Sequence, residues 1–236
     1  MVFSDQDNNT VSNAKGYRMA RASHGVMSGN WYWEARIVVD TASQYSPQGH
    51  TSKPMPDPHW RLGWALPESL LQAPVGYDKY GFSYRDIEGV KVHKGRRYPY
   101  GEPYQAGDVI GFLILLPELP PNLRADPPPP LPKSTPDSTP TPKKDEDLPV
   151  HPGSKIIFFK NGVSQNVAFE NIPQGSYYPA VSLYFNASVC VNFGPQFCFP
   201  PKTSLPFQPM SALPLVRPRP AVARRKPAKA TRANKP

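Results

Sequence analysis

The sequence has little of what covalent or metal chemistry requires. Its two cysteines, Cys190 and Cys198, form no CxxC pair. Its five histidines, His24, His50, His59, His93 and His151, show no HExxH pattern, and none stands at zinc-finger distance from a cysteine. GxSxG, P-loop and GxGxxG signatures are all absent, so the expectation is a chain that is not an enzyme and holds no metal or cofactor. No apolar run approaches ~18 residues, which leaves no candidate membrane span. The start carries no apolar signal-type region, so the chain is expected not to be exported and its thiols to stay reduced. Acid is missing from one whole region. Residues 202–236 hold nine of the 27 Lys and Arg and no Asp or Glu, while the other 18 basic residues are matched by 18 acids. The net charge of +9 therefore belongs to the C-terminal segment alone.

Proline, by contrast, is abundant and clustered. Of 33 prolines, thirteen fall between Pro117 and Pro152. Such a stretch has few side chains to bury and many residues without a backbone donor, so it cannot offset its ordering entropy. It reads as a disordered, partly polyproline II insert over 117–153. The basic segment over 212–236 reads as a disordered tail, and 1–14 as a flexible lead-in.

Elsewhere the pattern is short strands. "WYWEARIVV" (31–39) is rich in aromatic and β-branched residues. "HWRLGWAL", "DVIGFLILL", "SKIIFFKNGV", "YYPAVSLYF" and "SVCVNFG" follow, bounded by Gly, Pro, Asn or Asp. "KNGV" (160–163) carries the Asn-Gly pair of a tight hairpin. Asp108 reads as a turn residue at a strand entry, His24 as a structural hydrogen-bonding side chain, and Cys190 as a small buried hydrophobe. No eleven-residue stretch has a helical period, although "PESLLQ" could form a turn. The fold class is an all-β antiparallel sandwich, with a barrel as the alternative.

One stretch stands apart. "RLGWALPESLLQAPVGYDKYGFSYRD" (61–86) begins as a strand end and then mixes rings, prolines and cations. Trp64 and Phe82 read as core. Tyr, Trp and Arg together are the residues that dominate protein interfaces, and a guanidinium fork suits a carboxylate.

Several segments in order resemble the SPRY domain of the Ash2-type subunit of Set/MLL (COMPASS) histone lysine methyltransferase complexes. They are "GYRMARASHGVMSGNWYWEARI", "RLGWALPESLLQAPVGYDKYGFSYRD", "YGEPYQAGDVIGFLI", "IIFFKNGVSQNVAF" and "YYPAVSLY…VNFGPQFCFPP". The Trp-Tyr-Trp-Glu strand, the Gly-Asp-Val-Ile-Gly strand and the Phe-Lys-Asn-Gly hairpin are general SPRY features. "RASHGV", "LQAPVGYDKY" and "VNFGP" are particular to the Ash2 type. The resemblance spans roughly residues 15–211 and implies one SPRY domain in two parts, 15–116 and 154–211, interrupted by the proline-rich insert.

In that family an acidic segment of the retinoblastoma-binding β-propeller subunit docks on positions matched here by Tyr17, Arg61, Pro74, Tyr77 and Arg85. A further family cation is replaced here by Ile87, next to Glu88, which predicts weaker or less salt-sensitive capture. The family also continues into an amphipathic helix that docks a Dpy-type dimer. Here the prolines after Ser211 would break such a helix, so that docking is expected to be lost.

The implied function is a non-catalytic adaptor for a SET-domain methyltransferase, located in the nucleus; any S-adenosylmethionine would belong to the partner. The tail cations Arg217, Arg219, Arg224, Arg225, Lys226, Lys229, Arg232 and Lys235 suit sequence-independent DNA contact. Two other readings stay open: a SPRY peptide-recognition module such as a ubiquitin-ligase substrate adaptor, and a carbohydrate-binding sandwich.

Overall fold

Successive side chains of a strand point to opposite faces. In residues 31–37, Trp31, Trp33, Ala35 and Ile37 thus share one face, and Tyr32, Glu34 and Arg36 the other. The computed structural model describes residues 2–3, 9–39, 56–123 and 148–214. In it this segment is strand β4 (Gly29–Val39), with Trp33, Ala35 and Ile37 buried in the main core.

The other described strands are β1 (Val2–Phe3), β2 (Thr10–Asn13), β3 (Arg18–Arg21), β5 (His59–Ala65), β6 (Gly81–Arg85), β7 (Lys91–His93) and β8 (Arg96–Tyr98). They continue as β9 (Val109–Leu116), β10 (Lys155–Lys160), β11 (Val163–Glu170), β12 (Tyr178–Tyr184), β13 (Ala187–Asn192) and β14 (Gln208–Pro209). The larger sheet has the order β1-β2-β13-β4-β9-β10-β11, with β14 beside β4; the smaller is β3-β12-β5-β6-β7-β8. Only the short β14 pairing is parallel among the described strands. The expected antiparallel sandwich is therefore the observed fold, and the barrel is not.

The sheets meet through aromatic rings. Trp33 of the larger sheet stacks on Phe112 at 4.0 Å and meets Trp64 of the smaller sheet edge-on at 6.2 Å. Tyr84 stacks on Phe158 at 5.5 Å across the same core. Each such pair adds about 0.5–1.5 kcal/mol beyond its buried area. Trp64 and Phe82 are core, as expected, and Tyr84 joins them.

Turn chemistry follows the sequence closely. Asn161 (φ 50°) and Gly162 (φ 78°) take the two positive-φ positions of the β10–β11 hairpin. Asp108 accepts from Gln105 N at 2.9 Å and from Asn161 Nδ2 at 2.9 Å, the turn role expected of it. His24 Nδ1 lies 2.8 Å from Ser23 Oγ.

Four expectations need correction. The final part of 61–86, which is not among the expected strands, forms strand β6 (Gly81–Arg85), paired to β5 and β7. Its first four residues are buried, so no polar alternation marked it as a strand. The lead-in 1–14 contains β2, which pairs with β13 because Val11 packs in the core. Cys190 is only half-buried, since its neighbours Val189 and Val191 turn inward and leave it on the outer face. Finally, the ends of the proline-rich stretch are structured. His151 Nε2 lies 2.7 Å from Pro117 O, and Gln174 Nε2 donates to both Leu123 O (2.7 Å) and Val150 O (2.9 Å). Pairing of β9 with β10 brings these ends together. Residues 124–147 and 215–236, with the eight tail cations, lie outside the described residues.

Candidate functional site

The five residues singled out on the sequence arrive on one surface, the outer face of the smaller sheet, by three routes. The first is a turn before β3. Asn13, almost fully buried, donates through Nδ2 to Leu183 O at 2.7 Å and Gly16 O at 2.9 Å. This fixes the turn that delivers Tyr17. The Tyr17 ring packs on Tyr184 at 4.9 Å and lies beneath the Arg61 guanidinium, whose Cζ is 5.1 Å from the ring centroid.

Strand parity is the second route. In β5, Trp60, Leu62 and Trp64 point into the core, so Arg61 points out. Arg85 of β6 is directly opposite it. Like charges facing across antiparallel strands are destabilising, so stability alone does not explain the pair. The Nε atom of each arginine is buried without a hydrogen-bond partner, a cost of about 1–3 kcal/mol per group. Burial lowers the Arg61 pKa, the Tyr17 ring opposes that shift, and the Arg85 and Arg97 charges add to it. Burial likewise raises the Tyr17 hydroxyl, against the pull of Arg61. A carboxylate on this face would offset the Arg85 and Arg97 charges that lower the Arg61 pKa.

The third route is the long loop between β5 and β6. Asp78 ties it together, accepting from Leu70 N at 2.8 Å, Tyr80 N at 2.9 Å and Ser69 Oγ at 3.1 Å. Val75 is buried with Met19, Ala65 and Ala180, its N–H donating to Ser182 Oγ and its carbonyl accepting from Ser83 Oγ, both at 2.8 Å. Ser182 is the β12 residue opposite Arg61, so the loop is pinned beside the arginine pair. Tyr77 N donates to Pro74 O at 3.0 Å over Gly76 at φ 85°, a reverse turn that leaves Pro74 half-buried and Tyr77 57 % exposed. A ring so exposed on a fixed turn is available for contact at little entropic cost.

Below the pair, Asp86 is 5 % exposed and accepts from or donates to His59 Nδ1 at 2.9 Å. Burial raises its pKa, and His59 counters the shift. No described acid forms an ion pair with Arg61 or Arg85.

Comparisons with known proteins agree with the fold. The SPRY domain family model matches residues 151–196. A crystal structure of a human SPRY domain has the same fold, with a TM-score of 0.50, 18 % identity and coverage of 81 % of this chain and 95 % of that one. The Set1/Ash2 histone methyltransferase complex subunit ASH2 of Drosophila melanogaster is 40 % identical over 203 residues, covering 83 % of this chain and 34 % of that protein. The chain is a SPRY-type sandwich similar in sequence to the Ash2 subunits. The ash-2 subunit of Caenorhabditis elegans is 35 % identical over 214 residues, with coverage of 80 % and 34 %. COMPASS component BRE2 of Saccharomyces cerevisiae is 30 % identical over 134 residues, with coverage of 47 % and 26 %. The chain spans about a third of the length of the first two relatives, which are named as complex subunits and not as catalytic enzymes.

Within this SPRY-type sandwich, Ile87 is half-buried and Glu88 exposed at φ 62°, in a short 3-10 turn after β6. The family cation expected there is absent. Sequence reasoning missed a different cation, Arg97 of β8, which acts on Arg61 from the same face. Its signal was available in "HKGRRY", where the hairpin turn sets the parity of the two arginines.

Proposed function

We propose that the chain is a non-catalytic subunit of a Set1/COMPASS-type histone lysine methyltransferase complex. In this reading the outer face of the smaller sheet receives an acidic segment of the retinoblastoma-binding β-propeller subunit through Tyr17, Arg61, Pro74, Tyr77 and Arg85. The observation that carries the reading is the Arg61–Arg85 pair, facing out with both Nε atoms buried and unanswered. Bound together, adaptor and propeller would favour the active arrangement of the SET domain, acting by population shift and contributing no chemistry of their own. The setting is the nucleus. The tail cations, including Arg224, Arg225 and Lys226, add sequence-independent contact with DNA, and the Dpy-type dimer does not dock after Ser211.

Arg61→Ala tests the proposal. It should weaken binding of an acidic propeller-derived peptide by about 2–3 kcal/mol and lower the stimulation of a SET–propeller pair in a methyltransferase assay. Unchanged peptide affinity would remove the arginine pair from the interface.

A further inference from the structure

Arg97 shares the outer face with the arginine pair. Ser83 is opposite Val92, and Val92 is opposite Arg97; directly opposed residues of antiparallel strands project to the same side. Ser83 points outward, since its hydroxyl donates to Val75 O of the covering loop at 2.8 Å. Arg97 therefore does too. The β7–β8 turn also leans on that loop, with Gly95 N donating to Gly76 O at 2.9 Å and Lys94 N to Asp78 O at 3.2 Å. The exposed Tyr77 follows Gly76 at this junction, so ring and hairpin border the same surface. No described acid forms an ion pair with Arg97.

Sheet geometry gives the spacing. Arg97 is two strands from Arg85 and two residues along, about 10 Å across and about 7 Å lengthwise, or about 12 Å between Cα atoms. An extended peptide rises about 3.3 Å per residue and sends every second side chain the same way. Positions i and i+4 span about 13 Å on one side, whereas i and i+1 point apart.

We propose that Arg97 is a second anion-receiving position of the dock. Its occupant is an extended acidic segment with two carboxylates four residues apart, one at the Arg61–Arg85 pair and one at Arg97. This rests on the docking function proposed above and specifies the ligand it takes. It also changes the expectation drawn from Ile87: a cation missing from the loop after β6 is replaced on the same face by one from β8.

The test is fluorescence anisotropy at low salt, using the full chain and labelled twelve-residue peptides that differ only in their glutamates. The peptides carry two glutamates at i,i+4, two at i,i+1, or one alone with the second replaced by glutamine. Wild type should prefer the i,i+4 peptide. Arg97→Ala should weaken that peptide about tenfold, flatten its salt dependence and leave the single-glutamate peptide unchanged, with Arg97→Lys recovering most of the loss. Arg97 is exposed on an edge strand, so these variants should fold. If Arg61→Ala weakens every peptide and Arg97→Ala none, the second position is wrong and the dock survives. If neither variant changes any affinity, both proposals fall.

Discussion

The outer faces of the two sheets solve opposite electrostatic problems. On the larger sheet, Glu34 is 1 % exposed, yet its carboxylate accepts from Cys198 N at 2.8 Å, Phe199 N at 3.0 Å and Asn192 Nδ2 at 3.3 Å. Asn192 ends β13, and the two backbone donors come from the segment after it, which lays Phe197 and Phe207 against Tyr32. On the smaller sheet the facing pair Arg61 and Arg85 is half-buried and cationic, and the covering loop supplies no acceptor for either Nε. A buried charge is tolerated when it is hydrogen-bonded. One face is thus completed within the molecule, and on the other two buried Nε atoms stay without an acceptor, which is what the proposed dock draws on.

Removing the anchor of the closed face should have the largest effect. Glu34→Ala would strand two backbone donors and loosen the segment across the larger sheet, costing about 3 kcal/mol of unfolding free energy. Chemical denaturation followed by tryptophan fluorescence measures this, and hydrogen exchange should quicken over 193–209. Acidic-peptide affinity should stay near wild type. A loss below about 1 kcal/mol would mean that apolar contacts alone hold the segment.

The open face is more sensitive at its loop. Gly76 sits at φ 85°, and a Cβ there would stand 2.4 Å from Val92 O. Gly76→Ala should cost about 2 kcal/mol and, unlike Glu34→Ala, should also weaken peptide binding, because Tyr77 is displaced. Normal affinity in a destabilised variant would show that the loop covers the sheet without helping to dock.

The core was readable in the sequence because β4, β9 and β10 have apolar stretches and "KNGV" fixes its own turn, whereas the segment that Glu34 holds over the larger sheet was not. β6 was hidden because Gly81, Phe82, Ser83 and Tyr84 are buried whichever face they point to, which erases the alternation that identifies a strand. β3, β7 and β8 were too short to carry a pattern. For the site, resemblance supplied Tyr17, Arg61, Pro74, Tyr77 and Arg85. Arg97 was invisible to it, because its place beside them depends on the pairing of β6, β7 and β8.

The smallest effect concerns acid. His93 lies beside the open face's loop, stacked on Phe82 at 4.2 Å with Nδ1 2.8 Å from Gly81 O. Burial lowers its pKa from the ordinary 6.5, Gly81 opposes the shift, and the Lys94 charge adds to it. The folded chain therefore binds fewer protons than the unfolded chain just below pH 6.5, so stability rises with pH in that window. The contribution is present above 6.5 and is lost as pH falls through the lowered value. Thermal unfolding should show a drop in midpoint between pH 7 and pH 5 that is smaller in His93→Gln. Exchange at acid pH should quicken first in β6 and β7 while the segment held by Glu34 keeps its protection. Equal acid sensitivity in the variant would place the titration elsewhere, and early opening of that segment would mean that the closed face is the weaker of the two.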